Sequence, residues 1–360
     1  MKTKILYTIP NFDTAGSGKV LYDLAKGLNK DKFEVIIACS NNKGAFFKEV
    51  ENLGLPIFIK PITKPLRPYY SFLFRLKEDI SFIKKHKIDI VHSWHWSSDW
   101  SEVLAARLGG AKFIYTKKAM TWGNIHWKIK SYLSNFIITI NDEMKNYFPN
   151  KSSQKLIPLG LDTNYYDPNL FVQKKDNSTF KIITVANLVP VKGIEVLINA
   201  VKLINNKNIY LEVVGDDRST YASDLKKKVI ALGLENHISF LGKHNDVRPF
   251  LAQADLYVIP TLNEGRKEGM PMALVEAMSM GKSVLGSDIS GINYVLKDFK
   301  NLLFEAKNEK QLAEKIKECF QMTMEERVNL GNRLRQYCLD NFSYDEFINN
   351  HEALYTNLLN

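Results

Sequence analysis

The sequence predicts an α/β protein built from two similar α/β/α domains that face a cleft. Short apolar strands alternate with helical segments along the whole chain, as in parallel sheets covered on both faces. The alternation restarts after a polar, irregular stretch at 169–180, where the domain boundary is expected. Finally, 360 residues with 45% hydrophobic content are enough for two cores. The expected division is 1–168, 169–340, and a last helix at 341–360 that packs on the second domain or returns to the first.

The first half opens with the strand KILYTIP (4–10), followed by the loop NFDTAGSG (11–18) and an amphipathic helix at 19–29. In the loop, Gly16 and Gly18 either let backbone approach a ligand or simply form a tight turn. This is not a nucleotide-binding P-loop, because the upstream glycine is missing and Val20 follows Lys19. FEVIIACS, LPIFIK, IDIVHSW, KFIYTK and NFIITI supply the next strands; their order in the sheet cannot be read from sequence. His92 and His95 at a strand end lack a third metal ligand. Thr116, Lys117 and Lys118 close another strand and offer charge to an anion. Trp122 and Trp127 beyond them stack on a sugar or pack locally.

Between Lys60 and Lys87, eight Lys or Arg residues stand against two acids, interspersed with Tyr69, Tyr70, Phe72, Phe74 and Phe82. Such a stretch (61–87) is expected either to touch an anionic membrane surface peripherally or to be a surface helix with Phe72, Leu76, Ile80 and Ile83 as its core face. Net charge is +10 and the sequence pI about 9.2, which favours an anionic partner. The cations are mostly scattered lysines without a nucleic-acid-binding module, so nucleic acid is not expected as a partner. Cys39, Cys319 and Cys338 have no metal-ligand spacing and read as reduced thiols. The N-terminal apolar run is too short for a signal peptide, and no stretch approaches the length of a membrane span, so a cytoplasmic location is expected.

The second half repeats the alternation. FKIITVANLVPVKGIEVLINA gives strand, turn and helix. LEVVGDD is the next strand, and Asp216–Asp217 at its end read as a turn or cap. The organising stretch is YVIPTLNEGRKEGMPMALVEAMSMGKSVLGSD (257–288). Here a strand ends at a proline, a polar loop follows, Pro271 starts a helix that stops at Gly281, and another strand begins. Glu268 and Glu276 stand eight positions apart, both near the carboxyl end of a strand, where ligands bind in open α/β sheets. Amides at 270–273 would receive an anion.

These residues carry a family resemblance. The glycine loop at 16–18, VANLVPVKGIEVLINA, VVGDD, GKHNDVRPFLAQADLYVIPT and above all EGMPMALVEAM resemble the retaining glycosyltransferases of the GT-B fold, family 4 (group 1), nearly end to end. The resemblance implies two Rossmann-like domains, with a nucleoside-diphosphate sugar, UDP- or GDP-linked, bound mainly by the second. It implies Lys192 on the diphosphate, Glu276 on the ribose hydroxyls and Glu268 beside the sugar. Gly269, Met270 and Pro271 would hold phosphate or sugar oxygens, Gly242 to Asp246 the base, and Gly16, with Gly18, would approach the donor from the first domain. Three positions depart from the family. Asn187 replaces an arginine, leaving Arg266, Lys267 or Lys118 to substitute for its charge, and Lys118 stands about where a histidine is expected. The family's Gly-x-x-Glu becomes Gly291 to Tyr294.

The activity implied is retaining transfer to a saccharide or lipid-linked hydroxyl in cell-surface polysaccharide or glycolipid synthesis, with no cofactor and no metal. Lys192, Glu268 and Lys118 are the candidate catalytic groups. A nucleotide-sugar epimerase, a sugar phosphorylase and a binding protein that kept the donor pocket are the alternatives; the signatures of the first two are not visible.

Overall fold

The computed structural model describes residues 2–12, 15–120, 123–171, 179–265 and 268–359. The chain separates into two compact units, 1–160 with 344–360, and 161–343. Trp122, Arg266 and Lys267 lie outside the described residues, as do 172–178 of the expected boundary segment.

The first unit runs β1 (Thr3–Ile9), α1 (Ala15–Gly27), β2 (Phe33–Cys39), α2 (Ala45–Glu51), β3 (Ile57–Ile59), α3 (Phe72–His86), β4 (Ile90–Ser93), α4 (Ser101–Leu108), β5 (Lys112–Lys117), α5 (Ile125–Leu133), β6 (Phe136–Thr139) and β7 (Gln154–Leu156). Its seven strands are ordered β3-β2-β1-β4-β5-β6-β7, and the pairs are parallel. Ile5, Leu6 and Tyr7 of β1 are buried in succession, without alternation, because helices cover both faces. The order reverses between β1 and β4, so the carboxyl ends of those two strands form the rim where ligands enter such sheets.

Helix α1 begins at Ala15, so Gly16 and Gly18 lie in its first turns rather than in the expected loop. A Cβ on Gly18 would stand 3.1 Å from the Phe12 ring, whereas one on Gly16 would meet nothing. The small size of Gly18 thus serves packing. Helix α3 buries Phe72, Leu76 and Ile83, with Ile80 partly covered, which is the core-face reading of that stretch. It also buries Asp79, which Lys60 and Lys64 approach at 3.2 and 3.5 Å. The closing helix Tyr344–Leu359 packs on this unit: the Tyr344 hydroxyl donates to the Asp23 carbonyl at 2.8 Å, and Tyr355 hydrogen-bonds with both Tyr7 and His92.

The second unit runs β8 (Phe180–Val185), α6 (Ile194–Ile204), β9 (Ile209–Val214), α7 (Thr220–Ala231), β10 (Ile238–Gly242), α8 (Arg248–Gln253), β11 (Leu256–Ile259), α9 (Met272–Ser279), β12 (Ser283–Ser287), α10 (Ser290–Val295), β13 (Leu303–Phe304), α11 (Glu309–Gln321) and α12 (Met324–Asn341). Its six strands are ordered β10-β9-β8-β11-β12-β13, again parallel. Here the order reverses between β8 and β11. The unit starts at Leu161 rather than at 169, because 161–170 is fastened to it. The Leu161 amide donates to Phe342 at 2.9 Å, and Arg335 reaches Asp167 at 3.4 Å and the Tyr166 carbonyl at 2.9 Å.

Candidate active site

In the second unit, Lys192 follows β8 and Glu268 follows β11, the two neighbouring strands at the point of reversal. Their side chains meet in an ion pair and are only partly exposed. The sequence makes this meeting possible through two glycines. Gly193 ends the 3-10 turn Pro190–Lys192 in the left-handed region (φ 63°), and a Cβ there would lie 2.2 Å from the Pro260 carbonyl oxygen. The Lys192 turn therefore lies directly against the end of β11, and the Leu262 amide seals it by donating to Val191 at 2.8 Å. On the other side Gly291, in the first turn of α10, would place a Cβ 2.5 Å from the Glu268 carbonyl oxygen and 2.8 Å from that of Gly269. Glycine at 291 lets α10 support the loop that carries Glu268.

Pro271 caps α9 instead of lying inside it, and the helix starts at Met272. Gly269, Met270 and Pro271 are buried at its entrance, and Glu276 lies in its second turn, half-buried. Glu276 and Glu268 share one neighbourhood. Burial pushes the Tyr257 phenol of β11 well up, and the negative charges of Glu276 and then Glu268 push it further. Glu264, the nearby acid that sequence could confuse with Glu268, is paired instead with Lys307 on the surface.

The carboxyl ends of β8, β9 and β10 are stitched together beside this pair. The Ala186 amide donates to Val214 at 3.0 Å and the Gly215 amide to Gly242 at 2.9 Å. Asn187 is exposed on this rim, and Gly242 takes a positive φ of 75°. Asp246 is gripped by Arg248 through Nε at 2.8 Å and Nη2 at 2.7 Å, which holds its carboxyl below the usual range. Asp216 and Asp217 pair with Arg218 and Lys226, which fits their reading as turn residues.

Three residues of this cluster carry no signal that the sequence reading used. Arg248 lies 3.4 Å from the centroid of the Tyr165 ring and donates to the Tyr165 carbonyl at 3.0 Å. Burial pushes the Tyr166 phenol up, and the negative charge of Glu276 pushes it further. The only visible cue was the aromatic doublet in LDTNYYDP, whose partners are far away in the chain. A separate cavity of about 650 Å³ lies at the β12–β13 end of the sheet, lined by Asp288, Asn293, Glu305 and Gln311 among others. Lys192, Glu268 and Glu276 do not line it.

In the first unit, Lys118 donates to the Trp94 carbonyl and lies 5.4 Å from the ring centroids of both Trp94 and Trp96. Lys117 is buried, its ammonium 3.8 Å from the Trp127 ring centroid, so Trp127 packs locally rather than offering a face to a sugar. His92 uses both ring nitrogens, on Tyr355 at 2.7 Å and Thr116 at 2.8 Å. Burial lowers its pKa well below the ordinary value. His95 is also buried and lowered. Among the described residues no group of three His, Cys, Asp or Glu could hold a metal ion. The buried acid at the β1–β4 rim is Glu102, which accepts from Thr8 and, at 2.6 Å, from Ser93; its place in a helix gave no cue to that role.

Two family models cover most of the chain: "Glycosyltransferase Family 4" matches residues 14–165, and "Glycosyl transferases group 1" matches residues 167–337. A capsular polysaccharide biosynthesis glycosyltransferase, CapH of Staphylococcus aureus, is 25% identical over 84% of this chain and 86% of its own length. The UDP-Gal:alpha-D-GlcNAc-diphosphoundecaprenol alpha-1,3-galactosyltransferase of Escherichia coli is 25% identical over 77% of this chain and 78% of its own. Among solved structures, a glycosyltransferase from Rickettsia africae superposes with TM-score 0.87 at 20% identity, over 99% of each chain. Anabaena HepE in complex with UDP and glucose superposes with TM-score 0.82 at 19% identity, over 98% of this chain and 99% of its own. With its two parallel Rossmann-like sheets and both family models in register, the chain belongs to the family 4, group 1 glycosyltransferases of the GT-B fold.

Proposed function

We propose that this glycosyltransferase moves a hexosyl group from a nucleoside-diphosphate sugar to a hydroxyl, with retention of anomeric configuration. The observation that carries the reading is the Lys192–Glu268 pair at the β8–β11 reversal, with Glu276 in the same acidic neighbourhood. A donor diphosphate offers Lys192 a second anionic partner, while Glu268 turns to the sugar hydroxyls. Gly269 to Pro271 and the first amides of α9 hold phosphate or sugar oxygens, Glu276 accepts the ribose hydroxyls, and the base rests by Gly242 to Asp246.

As the bond from sugar C1 to the phosphate oxygen breaks, positive charge grows on the sugar and negative charge on the leaving diphosphate. Lys192 and the amides stabilise that leaving charge. The acceptor hydroxyl forms the new bond to C1 on the face the phosphate leaves, and its proton passes to the departing phosphate oxygen. Lys192 supplies the cation at the phosphate, so no metal is required. The charge absent at Asn187 is not supplied by Arg248, which is committed to Asp246 and Tyr165.

The acceptor is a saccharide or lipid-linked hydroxyl used in surface polysaccharide or glycolipid synthesis at the cytoplasmic face of the membrane. The names of the S. aureus and E. coli relatives support the polysaccharide role and the lipid-linked acceptor. Membrane contact has its own support: Tyr69, Tyr70, Leu73 and Phe74 are 63%, 93%, 67% and 76% exposed at the start of α3, with Lys77, Lys84 and Lys85 exposed further along it. No helix among the described residues is long and apolar enough to cross a membrane. Incubation with UDP-, GDP- and ADP-sugars and a panel of lipid-linked saccharides tests the reaction, with product configuration read by NMR and EDTA added in a parallel arm. An inverted product, or transfer abolished by EDTA and restored by a divalent ion, sinks the retaining, metal-independent form of the proposal.

A further inference from the structure

The cavity of about 650 Å³ at the β12–β13 end of the second sheet takes no part in the donor site. It lies at the carboxyl ends of parallel strands, where ligands bind in open α/β sheets, and ligand pockets typically enclose about 300–1,000 Å³. Ser287 of β12 pairs with Phe304 of β13, and the Asp288 amide donates to the Phe304 carbonyl at 2.7 Å. Asp288 and Glu305 therefore leave neighbouring strand ends side by side. Each carboxylate is oriented by one amide: Asn293 Nδ2 donates to Asp288 Oδ1 at 2.6 Å, and Asn308 Nδ2 donates to Glu305 Oε2 at 2.9 Å. The second oxygens, Asp288 Oδ2 and Glu305 Oε1, have no partner among the described residues. Donors line the same cavity. Lys300 and Asn263 make no side-chain hydrogen bond or ion pair among the described residues. Gln311 accepts from the Glu305 amide at 2.6 Å through Oε1, which leaves its Nε2 to donate.

This set of groups suits few ligands. Glu264, Asp288 and Glu305 stand against Lys300 and Lys307, and Lys307 is already paired with Glu264, so the charge disfavours a phosphate or a nucleotide. Among the described residues no three His, Cys, Asp or Glu are grouped to hold a metal ion. Oriented acceptor oxygens beside ammonium and amide donors instead match vicinal hydroxyls, each of which donates one hydrogen bond and accepts others. We propose that this cavity is a second saccharide site, distinct from the donor site, which holds a neutral sugar unit of the glycan that the enzyme extends through Asp288, Glu305 and Lys300. Its wall is shared with the donor loop. Asn263 and Glu264 belong to the loop that carries Glu268, and Gly291, between Asp288 and Asn293 in sequence, abuts the backbone of Glu268. The saccharide chemistry stands on the cavity alone, whereas the placement of that sugar in the growing glycan rests on the proposed transferase reaction.

The test is saturation-transfer NMR of maltose, cellobiose, lactose and diacetylchitobiose with the full chain, as wild type and as the Asp288→Asn, Glu305→Gln double variant, with and without UDP, GDP or ADP. Each substitution keeps a carbonyl oxygen for Asn293 or Asn308 but turns the unengaged acceptor into an amide donor, so the fold is retained and thermal melts should coincide. At least one disaccharide is expected to bind wild type with a Kd below about 10 mM, and nucleotide should leave its signal unchanged. The double variant should bind it at least about tenfold more weakly. With that disaccharide as acceptor, the double variant should raise its KM about tenfold with kcat little changed. The proposal is overturned if none of the four disaccharides binds, if nucleotide abolishes the signal, or if the folded double variant binds as wild type does. Weaker binding with an unchanged acceptor KM overturns the placement in the growing glycan. If the disaccharide behaves as expected but no nucleoside diphosphate binds wild type, the donor reading fails and the saccharide site stands.

Discussion

Gly291→Ala is the sharpest test of how the candidate donor loop is held. The added Cβ would lie 2.5 Å from the Glu268 carbonyl oxygen, and ordinary contact begins at 3.4 Å, so the loop or α10 must give way by up to the difference, about 0.9 Å. Both neighbours are backbone, at Glu268 and Gly269, and no flexible side chain can absorb the shift. Overpacking of this kind costs about 1–3 kcal/mol of stability, although alanine is favoured over glycine in a helix by about 1 kcal/mol. The functional effect should be larger. Displacing a positioning group by about 1 Å lowers turnover by on the order of 10²-fold. The assay is kcat/KM for donor hydrolysis or transfer well below the measured Tm. Gly27→Ala serves as the control, because its Cβ would clash with Tyr344 and Ile348 in the first unit and not with the loop. The account expects both variants to lose stability and only Gly291→Ala to lose activity by about two orders of magnitude. A Gly291→Ala enzyme with wild-type kcat/KM would refute the reasoning that this glycine sets the position of Glu268.

Other perturbations separate the remaining parts of the account. Lys192→Met should lower kcat by about 10²- to 10³-fold while Lys192→Arg restores part of it, as steady-state kinetics would show; equal activity in both would mean that its charge is not used. Asp246→Asn should loosen the fork on Arg248 and weaken nucleoside diphosphate binding several-fold in calorimetry, with the base selectivity changed more than the affinity for inorganic pyrophosphate. Acid should soften the first unit through His351, whose pKa burial lowers to about 4 from an ordinary value of 6.5. Because the unfolded chain takes the proton first, this contribution is complete above about pH 6.5 and is lost as pH falls towards 4, by as much as about 3 kcal/mol. Thermal melts of His351→Phe across that range should be flatter than wild type, and an unchanged slope would count against the assignment. Replacing Tyr70, Leu73 and Phe74 by serine should reduce flotation with anionic liposomes more than neutralising Lys84, Lys85 and Lys87 does; equal flotation of all three proteins would show that the exposed start of α3 is not a membrane contact.

The alternation of strand and helix, and the pairing of Glu268 with Glu276, were legible because both are local. Period, turn residues and an eight-residue spacing lie within one window of sequence. Strand order was not legible, and it is the order β8-β11 that brings Lys192 to Glu268 across a large sequence separation. Charge counting does not show which cations are engaged inside the fold. Of the eight cations between 60 and 87, Lys60 and Lys64 turn inward to Asp79, and Arg75 donates to the carbonyls of Pro65 and Pro68 at 2.7 and 3.1 Å. Leu73 and Phe74 at the start of α3 are exposed all the same, which only burial could reveal. Gly18 has a packing neighbour in Phe12 that no motif shows. Tyr166 was missed because a tyrosine in a turn has no period, and Ser279 of α9, which donates to its carbonyl, lies over a hundred residues later.

The central claim is that Lys192 and Glu276 form the phosphate and ribose ends of one nucleoside diphosphate site. Its most direct test is calorimetric titration of wild type, Lys192→Ala and Glu276→Ala with UDP, GDP and ADP. The account predicts that one of the three nucleotides binds wild type and that each variant, still folded, binds it about 10- to 100-fold more weakly, as loss of a charge-assisted hydrogen bond of about 1.5–3 kcal/mol requires. Wild-type affinity in both folded variants would contradict it.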